Sequence, residues 1–480
     1  MVMRKNALTK WGVLGRKCSY FSPLLLLIFF VLVVNSEEET TGSSAFDFGS
    51  WAQSFVSKTS KHLKKFAVAV TDKLNGKKKC LYRKSASKYV EKKLHARLKA
   101  QEMAVASIVS SIRSWEFDRS AERRDRSASF SRGKPLVLAF TGPTGVGKTE
   151  TSNLIAEALL SERETIRNSV RKAPVGFLKF NGGDFNDYVT KPLKEYHDII
   201  RTRLFQHFYD CNGIGVVLFD EVQKVIPGTL DVLKNILSGR PQLDFVDRNN
   251  KATTVYCDNA VFIFVSDIGA EAMTELVVEH GGRGKVPEHV LNRNVRKAMN
   301  LQWRRLNFEG LVDMVVPFLP FEPMHIREIM KLKTDELHAE HAGTWWKKLA
   351  VHDDAISYMS KQRFIAYTRV VLKVKGDKKT VPKETGEGDP STKQENYALK
   401  FRYFAKYGAR IDNGGGPLHI LRGKLFRYLE YDEEEKNVHT IHVKMSTPNE
   451  VLAIFQCQNN DRAGGGAGDP VEESCGNNGA

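Results

Sequence analysis

Several protein classes are thinned out by what this 480-residue sequence lacks. Its six cysteines, Cys18, Cys80, Cys211, Cys257, Cys457 and Cys475, never fall in a C-x-x-C pair. That excludes a zinc ribbon or a dithiol redox centre; no disulfide framework is indicated, and a single bridge in an oxidising lumen stays open. The histidines show no metal-ligand spacing, so His338 and His341 are expected to face solvent. Beyond the first 36 residues no apolar run is long enough to cross a bilayer. Acidic residues are nearly missing between Lys58 and Lys99, yet no aromatic-interleaved nucleic-acid-binding module accompanies the run. A solvated helical face or linker is the expectation there, with no nucleic-acid partner.

What is present begins with a basic lead (Arg4, Lys5, Lys10, Arg16, Lys17) ahead of the apolar stretch Leu24 to Val34. Its length falls short of a membrane span, so 1–36 reads as a cleaved secretory signal, with Glu37 starting the mature chain. The hydrophobic share of 41% is ordinary for a globular protein, and the net charge of +17 is concentrated after the signal.

The segment Gly142-Pro143-Thr144-Gly145-Val146-Gly147-Lys148-Thr149 fits G-x-x-x-x-G-K-[ST], the phosphate-binding loop. The apolar run Leu136–Phe140 before it predicts a buried strand, and Thr149–Leu160 after it a helix. Glycines let the backbone wrap a phosphate chain with its N–H groups facing inward at a helix N-terminus. Lys148 is expected to reach the β- and γ-phosphates of ATP, and Thr149 to hold Mg²⁺. Downstream, Val216-Val217-Leu218-Phe219-Asp220-Glu221 is an apolar strand ending in two carboxylates. Asp220 is the expected second Mg²⁺ group, and Glu221 the residue that positions and polarises the attacking water. Further strands are predicted at Phe177–Phe180 and Ala260–Val265; alternation of strands and helices to Phe321 predicts a parallel sheet covered by helices. From Glu322 the pattern reads as mainly helical, with a loop insertion at 375–396 and a hairpin near Thr440–Lys444 and Val451–Phe455. The Gly-rich tail 459–480 is expected to be disordered.

These residues resemble the Clp/torsin branch of the AAA+ ATPases over roughly Tyr89 to Phe455. Arg97 to Val105 is similar to the segment that lies near adenine in that family, with Ala100 where the family has Gly. GPTGVGKTETSNLIAEAL resembles the Clp loop and helix, Phe262 to Asp267 the sensor-1 strand, and Tyr407-Gly408-Ala409-Arg410 the Clp sensor-2 motif. Val316 to Glu322 looks torsin-like. The resemblance implies a P-loop α/β domain at 89–321 behind a basic segment at 37–88, then a helical lid at 322–458. It also implies ATP hydrolysis with Glu221, Lys148, Asp267 and Arg410 in catalytic roles, Arg410 sensing the γ-phosphate from the lid.

Three departures shape the expected activity. Asp267 stands where the family has Asn or Thr, and a third carboxylate would repel the γ-phosphate unless offset by Mg²⁺, Arg410 or a proton. Leu311 occupies the place of the arginine finger, a group worth roughly 10³–10⁵ in rate; Arg304 and Arg305 sit too early in register. Tyr188-Val189 lacks the glycines of a threading loop. The reading is therefore a torsin-like remodeller of protein complexes in the endoplasmic reticulum lumen or nuclear envelope. It would work as a homo- or hetero-oligomeric ring and take an arginine from a luminal activator. The alternatives are a Clp-like chaperone ATPase delivered by the secretory route to an internal organelle, or a weakly hydrolysing, nucleotide-gated scaffold.

Overall fold

Strands buried on both faces need unbroken apolar runs, and two such runs form the centre of this protein. In the computed structural model, β1 (Leu136–Thr141) and β8 (Ala260–Ser266) are buried at every residue. The structure describes residues 80–122, 133–165, 172–187, 189, 191–246, 252–303, 310–375, 397–411, 415–430, 440–446, 451–457 and 475–476. The expected signal peptide, the basic segment to residue 79, Tyr188, Arg304, Arg305 and residues 376–396 of the insertion lie outside them.

The helices α1 (Ala86–Arg97) and α2 (Glu102–Glu122) precede β1, and α3 (Lys148–Leu159) follows it. A small hairpin of β2 (Arg163–Thr165) and β3 (Lys172–Pro174) leads to β4 (Phe177–Asn181). Next come α4 (Leu193–Asp210), β5 (Gly215–Asp220), the short α5 (Lys234–Leu237) and the hairpin β6 (Gln242–Val246) with β7 (Ala252–Tyr256). After β8 the chain forms α6 (Ala270–Glu279), α7 (Glu288–Trp303) and β9 (Met314–Pro317). The five core strands pair in the order β4-β5-β8-β1-β9, all parallel.

Alternate residues of each strand point to opposite faces, which splits the core into two layers. Leu138, Phe140, Leu218 and Ile263 pack with α1, α2 and α3. Val137, Ala139, Phe219 and Phe262 pack with α4, α6 and α7 on the other side. On that second face Phe180, Phe219 and Phe264 stack across three neighbouring strands, with centroids 4.6 and 5.2 Å apart. Each ring withdrawn from water contributes on the order of 2–3 kcal/mol.

Past β9, Glu322 caps α8 (Pro323–His341). Its side chain accepts from the His325 backbone N–H, while the Glu322 N–H donates to His325 Nδ1, and Pro323 opens the helix. The remainder departs from the mainly helical expectation. Beside α9 (Asp353–Met359) and α10 (Pro417–Glu430) lie β10 (Lys348–Val351), β11 (Tyr367–Lys375), β12 (Tyr397–Ala405), β13 (Thr440–Ser446), β14 (Val451–Cys457) and β15 (Cys475–Gly476). The order β10-β13-β14-β15 makes one sheet, containing the expected β13–β14 hairpin; β11 and β12 pair as a separate antiparallel ribbon. The period in β11 is two: Val370 and Leu372 pack on the core of the first domain, whereas Arg369, Val371 and Lys373 are exposed. Tertiary burial of one face decided between strand and helix here. β15 also shows that the tail expected to be disordered pairs at two residues with β14. His338 is half-buried, its Nδ1 accepting from Trp346 Nε1 at 3.2 Å and from the Leu349 N–H at 3.3 Å, which corrects its solvent-facing assignment. Among the described residues no helix is long and apolar enough to cross a membrane.

Among the described residues one disulfide, Cys80–Cys211, ties the residue ahead of α1 to the end of α4 across a sequence separation of 131. Both cysteines are buried. Closing so long a loop restricts the unfolded chain by up to about 5 kcal/mol in the chain-entropy model. The paired change Cys80→Ala, Cys211→Ala is expected to cost about 2–5 kcal/mol in denaturant unfolding. An unchanged midpoint would show that the bridge contributes nothing to the fold.

Candidate active site

The strand order leaves a crevice at the carboxyl ends of β1, β5 and β8, the place where open α/β sheets bind ligands. The loop 142–147 fills the turn from β1 to α3, with Gly142, Gly145 and Gly147 at φ of 144°, 80° and 101°. Side chains could not follow at two of them: a Cβ on Gly142 would sit 2.1 Å from the Phe318 carbonyl oxygen, and one on Gly145 2.1 Å from that of Tyr407. The loop is thus pressed between the strand end after β9 and the lid.

A cavity of about 370 Å³ opens over it, lined by Thr144 to Thr149, Asp220, Glu221, Asp267 and Arg410. All four expected catalytic side chains meet there. Gly142 and Pro143 contribute carbonyl oxygens rather than cavity surface: Lys148 Nζ donates to them at 2.5 and 2.6 Å and to Asp267 Oδ1 at 2.8 Å. Burial pushes the Lys148 ammonium below its ordinary pKa, opposed by Asp267 and Asp220 and reinforced by Arg410. The other Asp267 oxygen accepts from Thr144 Oγ1 at 2.8 Å. The sequence sets Asp267 only against a γ-phosphate; the structure adds that its carboxylate is a hydrogen-bonded partner of the loop.

Thr149 Oγ1 lies 2.9 Å from Asp220 Oδ2. One hydroxyl and one carboxylate fit Mg²⁺, which commonly takes one or two protein groups beside substrate phosphates. Glu221 has φ 53°, a left-handed conformation rare outside glycine. Gly182 permits this turn, because a Cβ there would come within 2.2 Å of the Glu221 carbonyl oxygen. Strain of this kind is held where the surrounding structure over-determines it. The Glu221 carboxylate is half exposed and pairs with Lys224 at 2.8 Å.

The cavity is also lined by residues that sequence reasoning passed over: Ile329, Leu332 and Lys333 of α8, and Gln223 after β5. Gln223 Oε1 accepts from the Asp267 N–H at 3.3 Å. Residues 329, 332 and 333 fall in the region read only as mainly helical, since what that helix meets is set by its docking. Buried Gln101 joins three parts, donating to the Leu319 and Val146 carbonyls at 3.0 and 3.3 Å and accepting from the Leu319 N–H at 3.1 Å. Ala100 before it has φ 56°, a left-handed geometry that favours glycine and that alanine adopts here under strain.

The lid closes on the loop through main chain. Ala409 N–H donates to the Gly145 carbonyl at 2.9 Å, and Gly408, at φ 60°, approaches so closely that a Cβ would lie 2.3 Å from that oxygen. Arg410 follows directly and lines the cavity. Leu311, at the expected finger position, packs against the core. Asp313 instead takes the Val137 N–H at 2.8 Å and pairs with Lys134.

No protein-family model matches the chain. Over 268 residues it is 26% identical to the chaperone protein ClpB of Rhodopirellula baltica, covering 53% of this chain and 26% of that protein. The ClpB of Leptolyngbya boryana is 27% identical over 282 residues, 56% and 28% of the two chains. The probable chaperone protein ClpB 1 of Chlorobaculum tepidum is 25% identical over 291 residues, 57% and 58%. The matches thus span between about a quarter and three fifths of these relatives' own lengths. Sheet and similarity together support an α/β AAA+ core of the Clp type. These relatives are Clp chaperones, so they carry the Clp side of the resemblance and not the torsin side.

Gly408→Ala is expected to lift the lid from the phosphate loop, costing about 1–3 kcal/mol of stability and speeding proteolysis between the first domain and the lid. Unchanged unfolding and cleavage would show that the main-chain clasp is absent in solution.

Proposed function

We propose that this protein binds and hydrolyses ATP as a Clp-like AAA+ chaperone ATPase acting on protein substrates. The observation that carries the reading is the convergence of Lys148, the Thr149–Asp220 pair and Glu221 in one cavity at the strand ends. Lys148 and the loop N–H groups would bind the phosphate chain. Thr149 and Asp220 would hold Mg²⁺, which would neutralise charge on the phosphates. Glu221, released from Lys224, would orient water for attack and take its proton. Arg410, placed by a loop bonded to the phosphate loop, would bring the lid to the terminal phosphate. With leucine at position 311, a second chain must supply an arginine if turnover is to be fast. An oligomeric ring or a separate activator would serve.

A second reading, a torsin-like remodeller in the endoplasmic reticulum lumen, is supported by the Cys80–Cys211 bridge, which suits an oxidising compartment. The basic-apolar start and the Val316 to Glu322 segment support it too. The ClpB relatives favour the chaperone reading, with secretory delivery to an organelle as the route that accommodates both.

Purified protein from Glu37 on is expected to bind ATP and turn it over slowly. Glu221→Gln should retain binding and lose turnover by at least about 10²-fold, and Lys148→Ala should lose binding. Wild-type turnover that survives Glu221→Gln would remove Glu221 from the chemistry and overturn this assignment.

A further inference from the structure

An ammonium has three N–H donors, and those of Lys148 are all engaged: by the carbonyls of Gly142 and Pro143 and by the carboxylate of Asp267. The lysine side chain is only 6% exposed, whereas Asp267 is 41% exposed. Any phosphate oxygen that reaches Lys148 must therefore displace a partner. Two of the three belong to the loop backbone; the third is a side chain at the rim of the cavity. Asp267 is itself held on both flanks, by the Thr144 hydroxyl through its carboxylate and by Gln223 through its N–H. It is a built anion on the phosphate loop.

We propose that Asp267 is a specificity-determining residue that disfavours the third phosphate, so that the site holds nucleoside diphosphate more tightly than triphosphate. The inference rests on the phosphate-loop reading above and deepens it. The loop N–H groups cradle the α- and β-phosphates and the lysine reaches the β- and γ-phosphates, so the γ-phosphate is the group carried furthest beyond the loop, toward the carboxylate that flanks the lysine. A diphosphate can lodge in the loop with the Asp267–Thr144 contact kept. A triphosphate adds a terminal anion on the side of Lys148 where Asp267 sits. Either the carboxylate lets go, losing both of its contacts, or it stays within a few ångströms of a like charge. At an effective dielectric of about 20 such repulsion amounts to a ten- to hundredfold loss of affinity, after Lys148 and Mg²⁺ offset part of it. Removing the charge but keeping the shape removes the penalty, since an Asn side chain still accepts from Thr144.

The test is calorimetric titration of the purified protein with ADP and with a non-hydrolysable ATP analogue, each with Mg²⁺. Wild type, Asp267→Asn and Asp267→Glu are compared, with thermal unfolding to confirm the fold. Asp267→Asn is expected to tighten the triphosphate analogue about tenfold or more and to change ADP less than about threefold. Asp267→Glu, which keeps the charge, should leave the ratio of the two affinities near the wild-type value. If Asp267→Asn shifts both nucleotides equally, or neither, the proposal falls and the phosphate-loop reading stands. If wild type and variants bind neither nucleotide, the phosphate-loop reading falls and takes the proposal with it.

Discussion

The burial of β1 between β8 and β9 is the constraint on which everything else depends. A strand with no exposed face has one register open to it, and its last hydrogen bond, from the Phe318 N–H to the Thr141 carbonyl at 2.7 Å, fixes where the chain must turn. The turn is the phosphate loop. Because β8 and β5 run parallel beside β1, their carboxyl ends arrive at the same edge, carrying Asp267 and Asp220 with them. The site is thus a consequence of parallel pairing: three segments far apart in sequence end together because their apolar runs are laid side by side.

Much of this was legible in the chain. The loop, the Asp220-Glu221 pair and the odd residue Asp267 each announce themselves locally, through fixed spacing or an apolar run that stops at a polar residue. The parts that were not legible depend on docking between distant segments. Residues 329, 332 and 333 belong to a stretch that reads only as helical, and the seating of α8 makes them a cavity wall. The β11–β12 ribbon read as helix because a short apolar run next to a loop insertion fits either period; packing of Val370 and Leu372 on the first domain settles it. The partners Cys80 and Cys211 are separated by 131 residues, and no spacing rule reaches so far.

Electrostatics also separates sequence from structure. Three carboxylates near one phosphate site look unfavourable when counted, and the count ignores where the cations and hydroxyls fall. Asp220 meets Thr149, Glu221 meets Lys224, and Asp267 meets Lys148 and Thr144. Each anion has a local partner, so none relies on another for balance. The lid adds a neutral tie, the Ala409–Gly145 main-chain bond, which does not depend on ionisation or salt.

The disulfide has a mechanical consequence. Tension applied to the chain ahead of Cys80 would divide at that residue, one branch running into α1 and the other crossing directly to Cys211 at the end of α4. The phosphate loop lies inside the closed ring, whereas Asp220 lies just beyond its exit. The branch through the bridge would therefore bypass the loop and load the start of the strand that carries Asp220 at its end.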